Sequence, residues 1–275
     1  MRYLYIVIFL LVCAGLALTQ TPQPASQTSP SPSPSPSVEK KRVEQVTVGI
    51  STSYEGLTNG LSPWSSQTLE VSAKLTAGPT LYGSFSLVRR FNLNDRNLML
   101  GYTQRLGKAK RWYFTAEGSY SPTNAVLARW STTVELARKF SRGWAGHASG
   151  RYGAYASGRA NLATVGADKY FRKNYSVGYT LYLGNSARTR ISNTHLVHGN
   201  YYYGEANSLR LTVAAGRSLE SLGRGGIVAT NTKSLNFLGQ HWFNKNWGLV
   251  YNVGIQQQGN IYQRRGFSIS LRRRF

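Results

Sequence analysis

The chain has few of the residues that carry most enzyme chemistry. Its 275 residues include one cysteine, four histidines and ten acidic residues, and only Asp95 and Asp168 are aspartates. Cys13 lies inside an apolar N-terminal run, so we expect a mature protein without thiols and therefore without disulfides or cysteine chemistry. These shortages count against an enzyme and against a bound metal or other cofactor. The shortage of acidic residues also leaves a formal net charge of +23 at pH 7.

Long apolar runs are absent after residue 18, and no apolar stripe recurs with the helical period. The single apolar run, Tyr3–Leu18, is shorter than the roughly 20 residues of a transmembrane helix. It ends near small residues that would permit cleavage after Ala17 or Thr19. We therefore predict a secretory signal peptide over residues 1–19. A membrane anchor is the alternative, which the shortness of the run disfavours.

Residues 20–44 differ in composition, with prolines set among Ser, Thr and Gln. Alternating Ser-Pro favours extended polyproline II and buries too little apolar surface to fold. We predict a disordered Pro/Ser-rich linker. The basic cluster at residues 40–42 is interpreted as solvated, with contact to anionic phospholipid headgroups as the alternative.

Residues 45–275 alternate polar and apolar side chains in segments of about 10 to 13 residues separated by turn residues. A strand of that length crosses a bilayer when it is tilted. We predict one all-β domain, a transmembrane antiparallel up-and-down β-barrel of about 12 to 14 strands. Fourteen segments can be drawn, and twelve is the alternative because the break at residues 77–79 could be a bulge.

The last segment, Gln263–Phe275, has the clearest pattern. Its large apolar side chains are at odd-numbered positions, and serines, arginines and Gly266 fill the even-numbered positions. Successive side chains of a strand point to opposite faces, so odd and even positions, the two parities of the strand, lie on different faces. A final strand of this kind is typical of outer-membrane barrels and predicts recognition by the barrel assembly machinery. Arg273 is the exception, since it falls on the apolar parity and must snorkel to the interface.

Large aromatics recur at the ends of predicted strands. Phe140–Trp144, Phe171–Tyr175 and Phe243–Trp247 each place one aromatic before and one after a short turn that contains a cation. Amphipathic rings settle at the headgroup level of a membrane, which favours a transmembrane barrel over the alternative of a soluble β-sandwich. The predicted membrane-interface aromatics are Trp112, Phe140, Trp144, Phe171, Tyr175, Phe243, Trp247 and Phe275.

Counting back from Phe275 assigns a side of the membrane to each turn. If the C-terminus is periplasmic, the short turns between these aromatics are periplasmic too, and an even strand count places the linker there. The longer connections, predicted at Glu55–Ser66, Asn185–Ser192 and Arg217–Thr230, are then extracellular, as is usual in such barrels.

The positive charge is spread along the chain rather than gathered in one patch, so nucleic acid is not predicted as a partner. Outer-membrane lipids and lipopolysaccharide phosphates suit it better. The predicted long loops offer four arginines to them: Arg188, Arg190, Arg217 and Arg224. Inward parity predicts an ion-pair network in the lumen, formed by Lys74, Arg90, Arg105, Arg151, Arg210, Glu70, Glu117 and Glu135. The excess of cations would bias a pore toward anions.

The histidines supply one candidate for catalysis. His195 and His198 are three residues apart in a predicted strand, so they face opposite sides and cannot share a metal. His147 and Ser149 share a face, and a His-x-Ser pair of this kind resembles the one used by outer-membrane lipid A deacylases. By parity both point into the lumen, and the alternative is two polar residues of its wall.

Several longer motifs occur in a characteristic order. They are Gly143–Tyr155, Gly166-Ala-Asp-Lys-Tyr170 with Tyr175-Ser-Val-Gly-Tyr179, Tyr201-Tyr-Tyr-Gly-Glu205, Ala215-Gly-Arg-Ser-Leu-Glu220 and His241-Trp-Phe-Asn-Lys-Asn-Trp247. From about Val46 to Phe275 the chain thereby resembles the YaiO family of outer-membrane proteins. The resemblance implies an outer-membrane barrel without an assigned enzymatic activity, sometimes found with surface-polysaccharide glycosyltransferases. It carries over no functional residues.

These features predict an integral outer-membrane protein that is a narrow pore or an accessory to surface-polysaccharide export. Many inward positions are small, and 12 to 14 strands lie between filled eight-stranded barrels and water-filled porins. An anionic glycan is a candidate partner. The alternatives are a structural or binding barrel without conductance, and a lipid-modifying enzyme that uses His147 and Ser149.

Overall fold

Fourteen antiparallel strands close into one barrel in the computed structural model, which describes residues 43–76, 78–107, 109, 111–172, 174–186, 189–204, 206–223 and 226–275. Consecutive strands are neighbours throughout. The strands are β1 (Val43–Leu57), β2 (Trp64–Leu75), β3 (Thr80–Arg90), β4 (Leu93–Leu106), β5 (Trp112–Tyr120), β6 (Trp130–Lys139), β7 (Trp144–Tyr155), β8 (Gly158–Phe171), β9 (Tyr175–Ser186), β10 (Thr189–Tyr203), β11 (Asn207–Ser221), β12 (Ile227–Trp242), β13 (Trp247–Gln258) and β14 (Tyr262–Arg274). The predicted all-β, up-and-down barrel is confirmed.

The barrel closes where β14 pairs with β1. Their register runs from Thr47 opposite Arg274 to Leu57 opposite Arg264. Beyond it, the Phe275 N–H donates to the Val46 carbonyl at 2.8 Å. Closure leaves no strand edge with unpaired backbone groups, which a sheet in hydrocarbon requires.

The strand count is fourteen because the break at residues 76–79 is a hairpin turn. There the Gly78 N–H donates to the Leu75 carbonyl at 2.9 Å, and the Leu75 N–H donates to the Pro79 carbonyl at the same distance. Strands β2 and β3 then pair from Lys74 opposite Thr80 onward. The alternative of twelve strands, which read this break as a bulge, is wrong.

Outward and inward side chains differ in kind, as the alternating pattern predicts. Large apolar side chains are exposed on the outer face, with Ile50 at 66%. Small polar side chains face inward, with Ser176 at 1%. An apolar exterior and a polar interior are the reverse of a soluble domain, and they are typical of a barrel whose exterior meets lipid.

The two rims of the barrel differ in the length of their connections. We call the rim that carries Val43 and Phe275 the terminal rim, and the other the opposite rim.

Strand β5 has an outward aromatic at each end, Trp112 and Tyr120, separated by about 27 Å along the strand. Because strands of such barrels tilt by about 35–45°, the two rings are about 19–22 Å apart along the barrel axis, which lies within the apolar band of about 25 Å.

The connections at the opposite rim are shorter than predicted. The long loops predicted at 55–66, 185–192 and 217–230 are reduced to 58–63, 187–188 and 222–226, because the flanking strands continue to pair beyond the predicted ends. Among the described residues, the longest connection is 121–129, whose last residues were predicted to be strand. Arg217 accordingly lies in β11 rather than in a loop. Arg188, Arg224 and the side chain of Arg190 lie outside the described residues.

The predicted signal peptide and nearly all of the predicted linker also lie outside the described residues. Strand β1 begins at Val43, just before the predicted domain start at residue 45. In the part of the chain that the structure describes, no helix is long and apolar enough to cross a bilayer.

We expect Gly166→Ala to destabilise the barrel by about 1–3 kcal/mol, because overpacking strains a filled site. A Cβ on Gly166 would stand 2.4 Å from the His147 ring and 2.7 Å from the Tyr179 carbonyl oxygen. Urea unfolding in lipid vesicles, followed by tryptophan fluorescence, measures the change. Gly150→Ala is the matched control, because a Cβ on Gly150 in the adjacent strand meets nothing within 4 Å. Equal stability of both variants would contradict close packing at the lumen wall.

Candidate functional site: the barrel lumen and its closed mouth

The wall of the lumen is built from small hydroxyl side chains that hydrogen-bond across neighbouring strands. Four such pairs lie at 2.7 to 3.0 Å: Ser53 with Ser66, Thr68 with Ser86, Thr103 with Thr115, and Ser119 with Ser131. These pairs satisfy the hydrogen-bonding groups of the wall with short side chains, so the wall is hydrophilic and projects little into the lumen. The lumen therefore has room and polarity for water or a polar solute.

The eight charged residues predicted to face the lumen all have inward parity, but they pair with other partners. Glu70 pairs with Arg272 at 3.1 Å, and Glu117 accepts a hydrogen bond from the Tyr82 hydroxyl at 2.7 Å. Lys74 lies at the terminal rim, where it pairs with Glu44 at 2.7 Å. Among the described residues, no ion pair joins two members of the predicted network.

The remaining members of that set contact aromatic rings or line cavities. The Arg90 guanidinium lies 4.5 Å from the Trp64 ring centroid, and that of Arg105 lies 5.5 Å from the Tyr113 ring centroid. Arg151 lines a cavity described below. Arg210 and Glu135 have inward positions on β11 and β6.

Two histidines share one carboxylate in the middle of the wall. The Asp168 carboxylate lies 2.8 Å from His198 Nε2 and 3.8 Å from His147 Nδ1. The His147 Nε2 atom lies 3.4 Å from the Thr180 hydroxyl. Ser149 is hydrogen-bonded to Thr164. His147 and Ser149 thus face the lumen, and each contacts other residues.

His195 points outward, within 2.7 Å of the Tyr179 hydroxyl, so it lies on the other side of the wall from His198. Within the described ranges, no group of three or more His, Cys, Asp or Glu side chains is placed to hold a metal ion.

Several cavities lie in the lumen between described residues. One of about 560 Å³ lies toward the terminal rim and is lined in part by Gln45, Tyr82, Gln240, Trp242, Arg272 and Arg274. A second, about 350 Å³, is lined by residues of β7 to β13, among them Arg151, Tyr182 and Ser234. A smaller one of about 140 Å³ lies beside Glu55 and Arg264. Open space is therefore distributed along the lumen.

A cluster of aromatic and basic side chains fills the lumen near the opposite rim, and we call it the mouth cluster. Its rings are Trp64, Phe91 and Tyr262, whose centroids are 5.1 to 6.2 Å apart. Arg90 and Arg264 both place their guanidinium groups within 4.8 Å of the Trp64 ring centroid. Trp64 is 2% exposed and Tyr262 is fully buried. A cation over an aromatic face in a dry site is a strong contact.

The connection at residues 121–129, which we call the mouth segment, folds inward beside this cluster. Its backbone is held by Asp95, whose carboxylate accepts N–H groups from Ala125, Val126 and Leu127 at 2.7 to 2.8 Å. Asp95 is 3% exposed. A buried carboxylate with three charge-assisted hydrogen bonds is well satisfied and holds the segment firmly.

The mouth segment reaches across the barrel. The Ser221 hydroxyl, at the end of β11, donates to the Val126 carbonyl at 3.0 Å. Strands β5 and β6 are far from β11 around the sheet, so this bond spans the opening rather than following the wall. The mouth at the opposite rim is thus closed in the structure.

Sequence reasoning missed the mouth segment and its anchor. Residues 127–129 were interpreted as the beginning of a strand, and Asp95 was noted only as one of two aspartates. A signal was available: Asp95 stands at an inward position near the start of β4, where a carboxylate needs buried partners.

The eight predicted interface aromatics are all exposed and lie at the terminal rim. Arginine side chains lie against several of these rings. Arg273 lies 5.2 Å from the Trp247 ring centroid and 4.7 Å from that of Phe275. Arg138 contacts Trp112 and Phe140 in the same way. The cation on the apolar parity of β14 is therefore held against two rings at the membrane edge.

A closed barrel with an apolar belt, aromatic ends and a polar lumen is an integral β-barrel of the outer membrane. Residues 45–221 match the family model described as the YaiO membrane beta barrel domain, and the chain belongs to that family. The resemblance stated from the sequence motifs is confirmed. No curated protein matches the chain.

Solved structures with the same fold include two channels and one secretin. The CymD monoaromatic hydrocarbon channel matches with a TM-score of 0.55 at 10% identity, covering 86% of this chain and 89% of that one. The TodX deltaS2S3 mutant monoaromatic hydrocarbon channel matches at 0.53 and 11% identity, with coverage of 84% and 89%. A bacterial polysaccharide outer membrane secretin matches at 0.52 and 7% identity, with coverage of 84% and 98%. At these identities the likeness is one of fold.

Removing the anchor should free the mouth segment. We expect Asp95→Ala to raise the rate of trypsin cleavage after Arg129 by at least about tenfold, since each hydrogen bond to a charged group contributes about 1.5–3 kcal/mol. Mass spectrometry of the fragments from folded protein in detergent measures it. Glu117→Ala, which removes a different inward carboxylate, should leave cleavage at Arg129 unchanged. Equal cleavage of wild type and Asp95→Ala would show that Asp95 does not hold the segment.

Proposed function

We propose that this chain is a narrow pore, closed at rest at the opposite rim, that serves the export of surface polysaccharide. One observation carries the proposal: the lumen is polar and contains cavities along its length, yet a single inward-folded segment and one ring cluster close its mouth. A barrel filled for stability alone would be packed throughout. Here the closure depends on a few identifiable contacts.

The size of the barrel supports this proposal. Fourteen strands lie between the eight-stranded barrels that side chains fill and the 16- to 18-stranded porins with an aqueous channel. Similar structures are described as monoaromatic hydrocarbon channels and as a polysaccharide secretin. Barrels of this fold are therefore compatible with a path for a small or extended solute.

The chemistry of the terminal cavity favours an acidic saccharide as the solute. Arg274 supplies positive charge, since Arg272 is paired there with Glu70, and Gln45 and Gln240 supply amides for hydroxyl groups. The Arg274 guanidinium lies 3.3 Å from the Trp242 ring centroid, so a flat apolar surface adjoins the charge. If the terminal rim is periplasmic, as predicted, this cavity is the entry of the pore.

A structural or binding barrel without conductance is the second candidate. The observation that favours it is the same closed mouth, with its fully buried Tyr262 and its bond between Ser221 and Val126. The lipid-modifying enzyme has less support. His147 and Ser149 point away from lipid and contact other residues, and no hydrogen bond between them is present.

Planar-bilayer recording tests the proposal. We expect wild-type protein to show small or infrequent current steps, and Asp95→Ala to show more frequent or larger steps, because the mouth segment is released. The expected rise in open time is at least about tenfold, following the hydrogen bonds lost. Glu117→Ala is the matched control and should conduct like wild type.

The competing candidate makes the contrary prediction. If folded wild-type and Asp95→Ala barrels both pass no current, while trypsin shows that the mouth segment has been released, the barrel is not a pore. Folding is checked by the shift in gel mobility of an unheated sample. Addition of an acidic oligosaccharide on the terminal side should reduce the current, and an uncharged one of equal length should do so less.

A further inference from the structure

Acidic residues of the described strands lie almost entirely on the inner face of the wall, whereas cations lie on both faces. Every acidic residue in the described strands has inward parity except Glu44, which pairs with Lys74 at the terminal rim. The inward acidic residues are Glu55, Glu70, Asp95, Glu117, Glu135, Asp168 and Glu220. Apart from Glu44, the charged residues of outward parity are all cations: Arg89, Arg96, Arg138, Arg159, Lys169, Arg217, Lys233, Arg265 and Arg273. The outer face of the described strands thus carries basic groups with no carboxylate beside them.

The outward cations occupy two levels. At the terminal rim, Arg138, Lys169 and Arg273 lie against aromatic rings. At the other level, Arg217 is separated from the terminal rim by four outward apolar residues of β11, and Arg265 by three outward apolar residues of β14. These cations therefore lie at the edge of the apolar belt that faces the opposite rim.

Five residues of β11 to β14 form one polar surface at that edge, which we call the lateral patch. It consists of Arg217, Asn231, Lys233, Gln257 and Arg265. Arg217 is directly opposite Asn231, and Lys233 is directly opposite Gln257. Two adjacent cations thus alternate with two amides, and Arg265 follows on β14.

The two central cations repel each other unless an anion joins them. Arg217 is opposite Asn231 and Lys233 is opposite Ala215, so the two are diagonal neighbours, about 7–8 Å apart. Both are exposed, and Arg217 makes only long contacts of 3.4 Å with the Ala229 carbonyl. Beside hydrocarbon the local dielectric constant is low, which strengthens the repulsion. No carboxylate of the described outer face lies beside these two cations, so an anion that neutralises them would be supplied by the membrane.

We infer that the lateral patch binds a phosphorylated glycolipid of the lipid A class. The phosphates bridge Arg217 and Lys233, since arginine forms two parallel hydrogen bonds with a phosphate and lysine adds a point charge. The amides of Asn231 and Gln257 suit the hydroxyl and amide groups of a sugar. The acyl chains lie on the apolar belt below, where Val213, Leu235 and Val253 are exposed. The assignment places the opposite rim at the cell surface.

Native mass spectrometry of delipidated barrel titrated with purified lipid A tests the site. We expect Arg217→Ala with Lys233→Ala to weaken binding by about thirtyfold, because each cation at a membrane surface contributes a factor of about five. Arg138→Ala with Arg273→Ala is the matched control, since it removes the same charge at the terminal rim, and it should bind like wild type. Arg217→Lys with Lys233→Arg keeps the charge and should retain most of the binding.

The ligand also distinguishes a glycolipid site from a generic basic surface. Lipid A without its phosphates should bind wild type much more weakly, and phosphatidylglycerol should not compete at equal concentration. The inference is overturned if the double alanine variant binds lipid A like wild type, if the control loses as much, or if phosphatidylglycerol competes fully. Gel mobility of the unheated protein confirms that each variant is folded. Conductance of the double variant should equal that of wild type, so this test is independent of the pore.

Discussion

The structure depends on the pairing of β14 with β1. Hydrocarbon offers no hydrogen bonds, so every backbone N–H and C=O of a membrane-spanning sheet needs a partner within the protein. The pairing from Thr47 with Arg274 to Leu57 with Arg264 removes the last free edge. Closure also fixes the two faces of each strand, because one must then meet lipid and the other must meet the lumen. The apolar belt, the polar wall and the inward placement of the acidic residues all follow from this.

The positive charge of the chain is divided unequally between the lumen and the outer face of the barrel. A formal charge of +23 indicates a strongly basic lumen if the cations are counted along the sequence. In the barrel, seven acidic residues of the described strands face inward, where Glu55 pairs with Arg264 and Glu70 with Arg272, while nine cations lie on the outer face. The lumen is therefore less basic than the chain, and the outer surface is more so. The excess positive charge therefore faces the membrane more than it faces the lumen.

The closed mouth and the cavities belong to one arrangement. Apart from backbone bonds at its ends, the mouth segment is held by the Asp95 carboxylate, by a hydrogen bond from the Arg96 N–H to the Thr123 hydroxyl and by one hydrogen bond that crosses the opening. The wall behind it is held by the continuous ladder of the sheet. Contacts that are few and local can break without unfolding the barrel, which a functional closure requires. The tight wall, with glycines such as Gly166 facing the His147 ring, provides a rigid frame for that movement.

Much of this could be read from the sequence, because a strand in a membrane barrel must alternate and each strand must be about as long as the bilayer is thick. That constraint gave the fold class, the fourteen strands and the inward or outward parity of the residues named. The lengths of the connections were predicted less well, because the strands pair beyond the membrane and the polar residues there are compatible with either loop or strand. Among the described residues, no ion pair joins two members of the predicted network. Parity states which face of the sheet a side chain is on, but not which residue it contacts.

The sequence by itself determined the alternation of faces, the aromatic ends and the family, because these are properties of neighbouring residues along one strand. Only the tertiary structure decided that Asp95 holds residues 125–127, that Ser221 reaches Val126, and that Arg217 and Lys233 stand side by side. Contacts of this kind join segments that are far apart in sequence or set by strand register. They depend on how the sheet curves and closes, which no local pattern records.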